Sequence, residues 1–265
     1  MFFHDMVKAL FFDIDGTLVS FATHAIIPSA VEALTAAKAK GIDIYISTGR
    51  PYSLINNIDE IRHLIDGYIC TNGAYNFIGG RVISCSPIAP ADVAEVLHQA
   101  EELNFATMVV GEKDIAMFNP NETARQIFAG ILNIEDYKTN TPIKSVLKQP
   151  ILQMTPVITE EEEQSIISRL KSVDSSRWHP AFADFTAKNV NKAKGLEEIA
   201  VFKGYRIDET MAFGDGGNDM SIIRRAGIGV AMGNAGDELK MAADYVTDTV
   251  DNDGVARALT HFGII

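Results

Sequence analysis

Short apolar runs alternate with helix-like segments at both ends of this chain. Residues 7–12 and 42–47 are such runs, and a segment rich in Ala and Leu lies between them. An apolar run bounded by turn residues indicates a strand buried on both faces, which is typical of parallel sheets covered by helices. Alternating strands and helices are joined by right-handed crossovers. The pattern predicts an α/β fold in which a parallel sheet carries helices on both faces.

The middle of the chain follows a different pattern. After a linker near residue 84, strand-like segments are joined by tight polar turns, which favours an antiparallel sheet with helices. The strand and helix alternation returns near residue 191. We therefore expect a discontinuous α/β core formed by residues 1–83 and 188–265, and an inserted α+β domain formed by residues 84–187.

Charge and hydropathy exclude several classes of partner. The formal net charge is -12, which disfavours nucleic acid as a partner, since phosphate backbones are bound through clustered Lys and Arg. The chain contains no apolar run of about 18 residues and begins without a basic segment and small-residue cleavage site, so we expect no membrane partner. The two cysteines are interpreted as reduced thiols. These features predict a cytoplasmic protein, either a monomer or a small homo-oligomer.

Two acidic clusters stand directly after apolar strands. The stretch FFDIDGT places Asp13 and Asp15 at the end of the first strand, and FGDGGND places Asp215 at the end of a later one. A single acidic residue in such a turn is often a solvated residue or a helix cap. In an open α/β sheet, however, the carboxyl ends of the strands form the ligand crevice. Paired carboxylates there repel each other unless a cation lies between them, so the clusters predict a Mg²⁺ site.

Two further polar features follow predicted strands. STGR places the hydroxyl of Thr48 and the peptide N–H of Gly49 at the end of the second strand. Lys194, in NKAKG before a helical pattern, is expected to face the same crevice, and we interpret Lys188 and Lys192 as solvated lysines outside it. Each feature is weak alone, because most lysines are solvated.

Together these motifs resemble the haloacid dehalogenase-like superfamily, and within it the Cof-type phosphatases with a large (C2) cap, which are sugar-phosphatase-like. The resemblance rests on four elements in the family's order: DIDGT at 13–17, STGR at 47–50, Lys194 in KAKG, and GDGGND at 214–219. It implies a Rossmann-like core with an inserted α+β cap domain. It also implies a phosphoric monoester hydrolase that acts on a small phosphorylated metabolite with Mg²⁺ as cofactor.

The resemblance also implies residue roles. Asp13 is the expected nucleophile, which forms an aspartyl-phosphate, and Asp15 is the expected general acid and base. The metal is expected to bind the Asp13 carboxylate, the backbone carbonyl of Asp15 and the Asp215 carboxylate. The expected phosphate-binding residues are Thr48, Gly49, Lys194 and Asn218, with Asp219 orienting Lys194 or a metal-bound water.

Substrate choice is expected to depend on the inserted domain, which is large enough to cover the crevice. Hexose and pentose phosphates are the expected substrates. The candidate contacts for the leaving group are Arg50, Arg177, Trp178 and Asp184. Trp178 is equally explained by packing within the insert, and Arg50 by a structural ion pair. Two other functions stay open: a phosphomutase of the same superfamily, and a non-catalytic sensor that binds a phosphorylated metabolite.

Overall fold

A computed structural model describes residues 7–132 and 141–265. The chain forms two compact units. The first, here called the core unit, contains Met1–Arg50, Ile55–Ser84 and Asn191–Ile265. The second, the insert unit, contains Cys85–Val190 together with the short segment Pro51–Leu54. The sequence pattern places the insert in one continuous piece, and it does not reveal that Leu54 packs against an apolar cluster of the insert unit.

The described residues form thirteen strands and nine α-helices. The strands are β1 (Ala9–Phe12), β2 (Asp43–Ser47), β3 (Gly67–Cys70), β4 (Tyr75–Ile78), β5 (Arg81–Cys85), β6 (Thr107–Gly111), β7 (Ile115–Phe118), β8 (Ile151–Pro156), β9 (Val173–His179), β10 (Phe182–Ala187), β11 (Thr210–Gly214), β12 (Ile228–Ala231) and β13 (Tyr245–Val246). The helices are α1 (Pro28–Ala39), α2 (Pro90–Leu103), α3 (Glu122–Leu132), α4 (Ile143–Val146), α5 (Glu160–Ile167), α6 (Lys192–Lys203), α7 (Met220–Arg225), α8 (Asp237–Ala242) and α9 (Gly254–His261). Within the described ranges, none of these helices is long and apolar enough to span a bilayer.

The core unit is built on an eight-stranded sheet in the order β13-β12-β11-β1-β2-β3-β4-β5. The pairs from β13 to β3 are parallel, and β4 runs antiparallel to β3. Strand β1 lies between β11 and β2, with Phe12 opposite both Phe213 and Ile46. The segments that follow these three strands therefore begin at one edge of the sheet, where an open α/β sheet binds its ligands.

Alternate residues of β1 pack on opposite faces of this sheet. Leu10 and Phe12 contact the apolar side of α1 and α9, whereas Ala9 and Phe11 belong to the cluster formed with α6, α7 and α8. All four are fully buried. Burial on both faces explains why the strand is a continuous apolar run, and it confirms the predicted parallel sheet with helices on both sides.

The insert unit is an α+β structure with a five-stranded antiparallel sheet in the order β7-β6-β8-β10-β9. Helices α2, α4 and α5 bury apolar residues against one face, with Met154 and Phe185 at the centre. Helix α3 contributes Phe128 to the cluster that Phe182 joins on the opposite side of the strands. This is the class of architecture that the tight polar turns predict.

Candidate active site

Three carboxylates meet at the carboxyl edge of the core sheet. Asp13 directly follows β1 and Asp215 directly follows β11, its parallel neighbour. A turn then returns Asp219 to the same place, where its Oδ2 accepts hydrogen bonds from the backbone N–H groups of Asp215 and Gly216. One carboxylate oxygen each from Asp13, Asp215 and Asp219 lie within 4.8 Å of one another. The strand register thus assembles an all-oxygen cluster.

Lys192 places its ammonium group within this cluster. Its Nζ donates hydrogen bonds of 2.7 Å to Asp13 Oδ1 and 2.6 Å to Asp219 Oδ1, and the residue is 0% exposed. A buried charge is tolerated when it is paired and hydrogen-bonded, as here. Helix α6 brings the lysine into position, because Asn191 caps the helix through a bond from the backbone N–H of Lys194 to Asn191 Oδ1. Lys192 is therefore the first helical residue.

The lysine expected from the sequence, Lys194, does not contact the cluster in this structure. Its ammonium lies 4.0 Å from Glu198, and its side chain is 41% exposed. Residues two positions apart on a helix differ by about 200° around its axis, so Lys192 and Lys194 point in nearly opposite directions. The expectation that Lys192 is a solvated lysine is wrong, because the residue is fully buried.

The electrostatics of the cluster favour a divalent cation. Burial raises the pKa of Asp13 to about 7, because the lysine only partly offsets burial and the neighbouring acids. Burial and the charge of Asp13 raise the pKa of Asp215 to about 8. Burial lowers the pKa of Lys192, but Asp13 and Asp219 more than compensate, so the lysine stays charged. When all three carboxylates are ionised, the one ammonium leaves excess negative charge, and oxygen ligands of this kind fit Mg²⁺.

Asp215 is held from both sides by side chains that the sequence analysis did not single out for this role. Thr17 donates from its hydroxyl to Asp215 Oδ1 at 3.3 Å. Asn234 donates from Nδ2 to Asp215 Oδ2 at 3.2 Å and to the carbonyl of Gly16 at 2.9 Å. A Cβ atom on Gly16 would lie 2.2 Å from Asp215 Oδ2, so only glycine fits there. Asn234 follows β12, and its position after a neighbouring parallel strand is the signal that would have identified it.

Asp15 forms a bidentate ion pair with Arg50. Nε donates to Asp15 Oδ2 and Nη2 to Asp15 Oδ1, both at 2.7 Å. The arginine side chain is 4% exposed. Two parallel charge-assisted hydrogen bonds fix the orientation of a carboxylate more firmly than a single contact. Of the two explanations left open for Arg50, the structure shows the ion pair.

Thr48 and Asn218 are brought together through a third residue, Asn72. The backbone N–H of Asn72 donates to the carbonyl of Thr48 at 3.1 Å, and Asn218 Nδ2 donates to Asn72 Oδ1 at 3.0 Å. Thr48 Oγ1 accepts the backbone N–H of Arg50 at 3.0 Å, which leaves its own hydroxyl hydrogen to donate elsewhere. Gly49 follows directly and is half-buried. Hydrogen bonds thus connect the segments that follow β2, β3 and β11.

The turn that contains Asn72 has an unusual backbone. Thr71, Asn72 and Gly73 have φ angles of 50°, 53° and 98°. A β-branched residue rarely adopts this left-handed region, and each such residue costs on the order of 1–3 kcal/mol unless its surroundings hold it. The backbone N–H of Thr71 donates to the carbonyl of Arg50 at 3.1 Å.

The candidate leaving-group residues of the insert unit make contacts within that unit. Arg177 Nε donates to Glu163 at 2.6 Å, and Asp184 is buried and accepts a hydrogen bond of 2.8 Å from Thr155. Trp178 belongs to β9, but its side chain lies outside the described part of the structure. The insert unit thus uses Arg177 and Asp184 in its own hydrogen-bond networks.

Comparison with known proteins identifies the family. A family model described as haloacid dehalogenase-like hydrolase matches residues 10–259. The chain belongs to this family. The match spans both units and includes every motif at the sheet edge, so it confirms the resemblance drawn from the motifs. It also confirms the predicted enzyme class, a haloacid dehalogenase-like phosphatase.

Individual members of the family resemble the chain along nearly its whole length. "Putative phosphatase YkrA" of Bacillus subtilis (strain 168) is 30% identical over 259 residues, which cover 97% of this chain and 98% of the relative. The structure of the subclass IIB sugar phosphatase BT4131 is 48% identical, with a TM-score of 0.93, and the match covers 98% of this chain and 100% of that one. The phosphatase BT1666 from Bacteroides thetaiotaomicron is 38% identical, with a TM-score of 0.88, over 99% of this chain and 97% of that one.

Proposed function

We propose that this haloacid dehalogenase-like hydrolase is a Mg²⁺-dependent phosphatase of small phosphomonoesters, chiefly hexose and pentose phosphates. The observation that carries the proposal is the buried Lys192 ammonium bonded to Asp13, beside Asp215. The description of a similar structure as a sugar phosphatase supports the substrate class. The proposal includes a cytoplasmic location, a monomer or small homo-oligomer, and no nucleic-acid or membrane partner, consistent with the net charge of -12.

Asp13 is the nucleophile in this proposal. One carboxylate oxygen attacks phosphorus, and the bond from phosphorus to the leaving oxygen breaks as the aspartyl-phosphate forms. Because burial raises the pKa of Asp13, the carboxylate needs nearby positive charge to stay ionised. The bonded ammonium of Lys192 supplies part of that charge and holds the carboxylate in one orientation.

Asp15 acts as the general acid and then as the general base in this proposal. In the first step it donates a proton to the departing alkoxide, and in the second it removes one from the water that attacks the aspartyl-phosphate. Both of its oxygens accept hydrogen bonds from Arg50 in this structure. At least one of these bonds must be exchanged for the leaving group before a proton can be delivered. Arg50 is therefore assigned the role of positioning Asp15 rather than of binding substrate.

Four groups are available to bind the phosphoryl oxygens as negative charge spreads over them. Lys192 has three N–H donors, of which Asp13 and Asp219 use two, and Asn218 has one amide hydrogen beyond the one given to Asn72. The proposed phosphate-binding groups are the Thr48 hydroxyl, the Gly49 N–H, the Asn218 amide and the Lys192 ammonium, which takes the place that the sequence analysis gave to Lys194.

The residues that would hold Mg²⁺ are Asp13, Asp215 and the backbone carbonyl of Asp15. Asp219 is less available, because Lys192 occupies its Oδ1 and two backbone N–H groups occupy its Oδ2. Its position fits the predicted orienting role, directed at Lys192. When bound, the ion would neutralise charge on the carboxylates and on the phosphoryl group.

Phosphate release from a panel of phosphomonoesters tests this proposal. The panel contains hexose and pentose phosphates, pyridoxal phosphate and p-nitrophenyl phosphate, each with Mg²⁺ or with a chelator. We expect Mg²⁺-dependent release, with sugar phosphates among the best substrates, and none from Asp13→Asn. An isomeric sugar phosphate in place of inorganic phosphate would indicate a mutase. Calorimetric binding of a sugar phosphate without turnover would indicate a sensor. Either result would contradict the proposal.

A further inference from the structure

The turn between β3 and β4 keeps a conformation that its hairpin does not require. Loops of about four residues in hairpins are usually built around an ordinary type I turn. Here three successive residues, Thr71, Asn72 and Gly73, all have positive φ. The Thr71 hydroxyl is buried and has no hydrogen-bond partner among the described residues. A left-handed backbone and an unpaired buried hydroxyl each cost free energy of folding. Such features persist only where the surrounding structure holds them in place, and they are concentrated at functional sites.

The backbone of this turn is bonded to the segment that follows β2. The N–H groups of Thr71 and Asn72 are consecutive, and each donates at 3.1 Å, to the carbonyls of Arg50 and Thr48 respectively. Arg50 holds Asp15, and Thr48 is a proposed phosphate ligand. The left-handed backbone thus directs two successive N–H donors at two functional positions.

The side chain of Asn72 reaches the loop after β11. It is 4% exposed, and its Oδ1 accepts a hydrogen bond of 3.0 Å from Asn218 Nδ2. An amide nitrogen only donates, so Asn218 must present its Nδ2 to this acceptor. The second hydrogen on that nitrogen is then held in a defined direction. Without Asn72, the half-buried Asn218 side chain would be free to rotate.

The third residue of the turn touches the helix that carries the lysine. A Cβ atom on Gly73 would lie 2.3 Å from the carbonyl oxygen of Asn191, the N-cap of α6. The turn therefore packs directly against the residue before Lys192. Three segments that supply proposed phosphate ligands converge on residues 71–73.

We propose that the strained turn at residues 71–73 positions the phosphate-binding groups, and that Asn72 acts through Asn218. This inference rests on the proposed function, because it assumes that Asn218 binds the phosphoryl group. Asn72 is a positioning residue: it acts by orienting Asn218 and does not itself need to contact the substrate.

A double-mutant cycle with inorganic phosphate as the probe tests the inference. Asn72→Gly preserves the left-handed backbone and removes only the side chain. It is compared with Asn218→Ala, with the double variant, and with Asn104→Gly as a matched control. Asn104 is also a left-handed asparagine, at the end of α2 in the insert unit. Phosphate affinity is measured by calorimetry in the presence of Mg²⁺, and melting temperatures check the fold.

We expect Asn72→Gly and Asn218→Ala each to weaken phosphate binding about tenfold, the usual scale for one hydrogen bond to a charged group. The double variant should be no weaker than Asn218→Ala alone, and Asn104→Gly should bind as the wild type does. Additive losses of affinity in the double variant, or normal phosphate binding by Asn72→Gly, would overturn this inference and leave the proposed function unaffected. A wild-type protein that binds no phosphate would overturn the proposed function, and this inference with it.

Discussion

The ammonium of Lys192 lies 2.7 Å from Asp13 Oδ1, although 179 positions separate the two residues in the chain. Both groups are buried, so neither charge is compensated by bulk water. Removing one partner of a buried pair generally costs about 3–5 kcal/mol, because the other charge is left unpaired. Loss of either partner alone is therefore expected to destabilise the fold.

Lys192→Met and Lys194→Met form a matched pair of substitutions two positions apart. We expect Lys192→Met to lower kcat at least about 100-fold, since it removes a preorganised donor at the reacting group, while Lys194→Met has little effect. Circular dichroism and thermal melts establish the folded fraction to which kcat is normalised. A large loss in Lys194→Met together with normal kcat in Lys192→Met would contradict the assignment.

Arg50→Lys should impair proton delivery by Asp15. Lysine replaces a two-point contact by a single charge, so Asp15 loses its fixed orientation. We expect the phosphorylation step to slow about tenfold for an alkyl phosphate and much less for p-nitrophenyl phosphate, whose leaving group needs little protonation. Single-turnover kinetics measure that step directly.

Arg62→Lys is the control for Arg50→Lys. Arg62 also donates twice to an acid, Asp59, but this pair is exposed, and such pairs contribute little. Equal slowing of both substrates by Arg50→Lys would show that Arg50 does not act through the acid.

Gly16→Ala should damage the metal site, whereas Gly41→Ala should not. The two glycines have similar φ angles of 84° and 80°, so both variants bear a similar backbone cost of about 1–2 kcal/mol. Only at Gly16 does the added methyl group overlap Asp215, since no atom of the described residues lies within 4 Å of a Cβ on Gly41. We expect Mn²⁺ binding, followed by electron paramagnetic resonance, to weaken about 10- to 100-fold in Gly16→Ala. Equal affinities in the two variants would disprove the effect.

The carboxyl edge of the sheet was predictable because the strands are buried on both faces. Asp13 and Asp215 each directly follow a continuous apolar run, and parallel strands end at one edge. The same reasoning placed Thr48 after β2. The helices on both faces followed from the alternation of apolar runs with helical patterns.

Other features cannot be predicted from the local sequence, because the same local pattern is compatible with more than one structure. The pattern NKAKG allows the helix to begin at more than one residue, and capping by Asn191 decides that Lys192 comes first. The chain around Pro180 is rich in strand-forming residues, and Pro180 lies in the turn between β9 and β10. Proline disfavours strand interiors and was the available signal. The hydrogen bonds of Asn72 join loops that are distant in the chain, so no local pattern predicts them.

Stabilisation of the protein by Mg²⁺ should increase with pH. Burial raises the pKa of Asp13 and Asp215 from an ordinary 3.8 to about 7 and about 8. A carboxyl group with a raised folded-state pKa stabilises the fold while protonated, so the metal-free protein loses stability as pH rises from about 4 to about 8. A bound Mg²⁺ would need the deprotonated carboxylates and would replace those protons. Melting curves at about pH 6 and about pH 9, with Mg²⁺ or a chelator, should show the larger metal-induced shift at the higher pH. An equal shift at both values would contradict this electrostatic description.

The central claim is that the phosphoryl group of the substrate is transferred to Asp13, and trapping the aspartyl-phosphate tests this claim most directly. The enzyme is mixed with a sugar phosphate and Mg²⁺, quenched in acid within one turnover, digested and analysed by mass spectrometry. Asp15→Asn is examined in parallel with p-nitrophenyl phosphate, because loss of the base should slow hydrolysis of the intermediate and let it accumulate. We expect a phosphoryl group on the peptide that contains Asp13, enriched in Asp15→Asn and missing in Asp13→Asn. Turnover by Asp13→Asn at even a tenth of the wild-type rate, a barrier difference of only about 1.4 kcal/mol, or a phosphoryl group on another residue, would contradict the account.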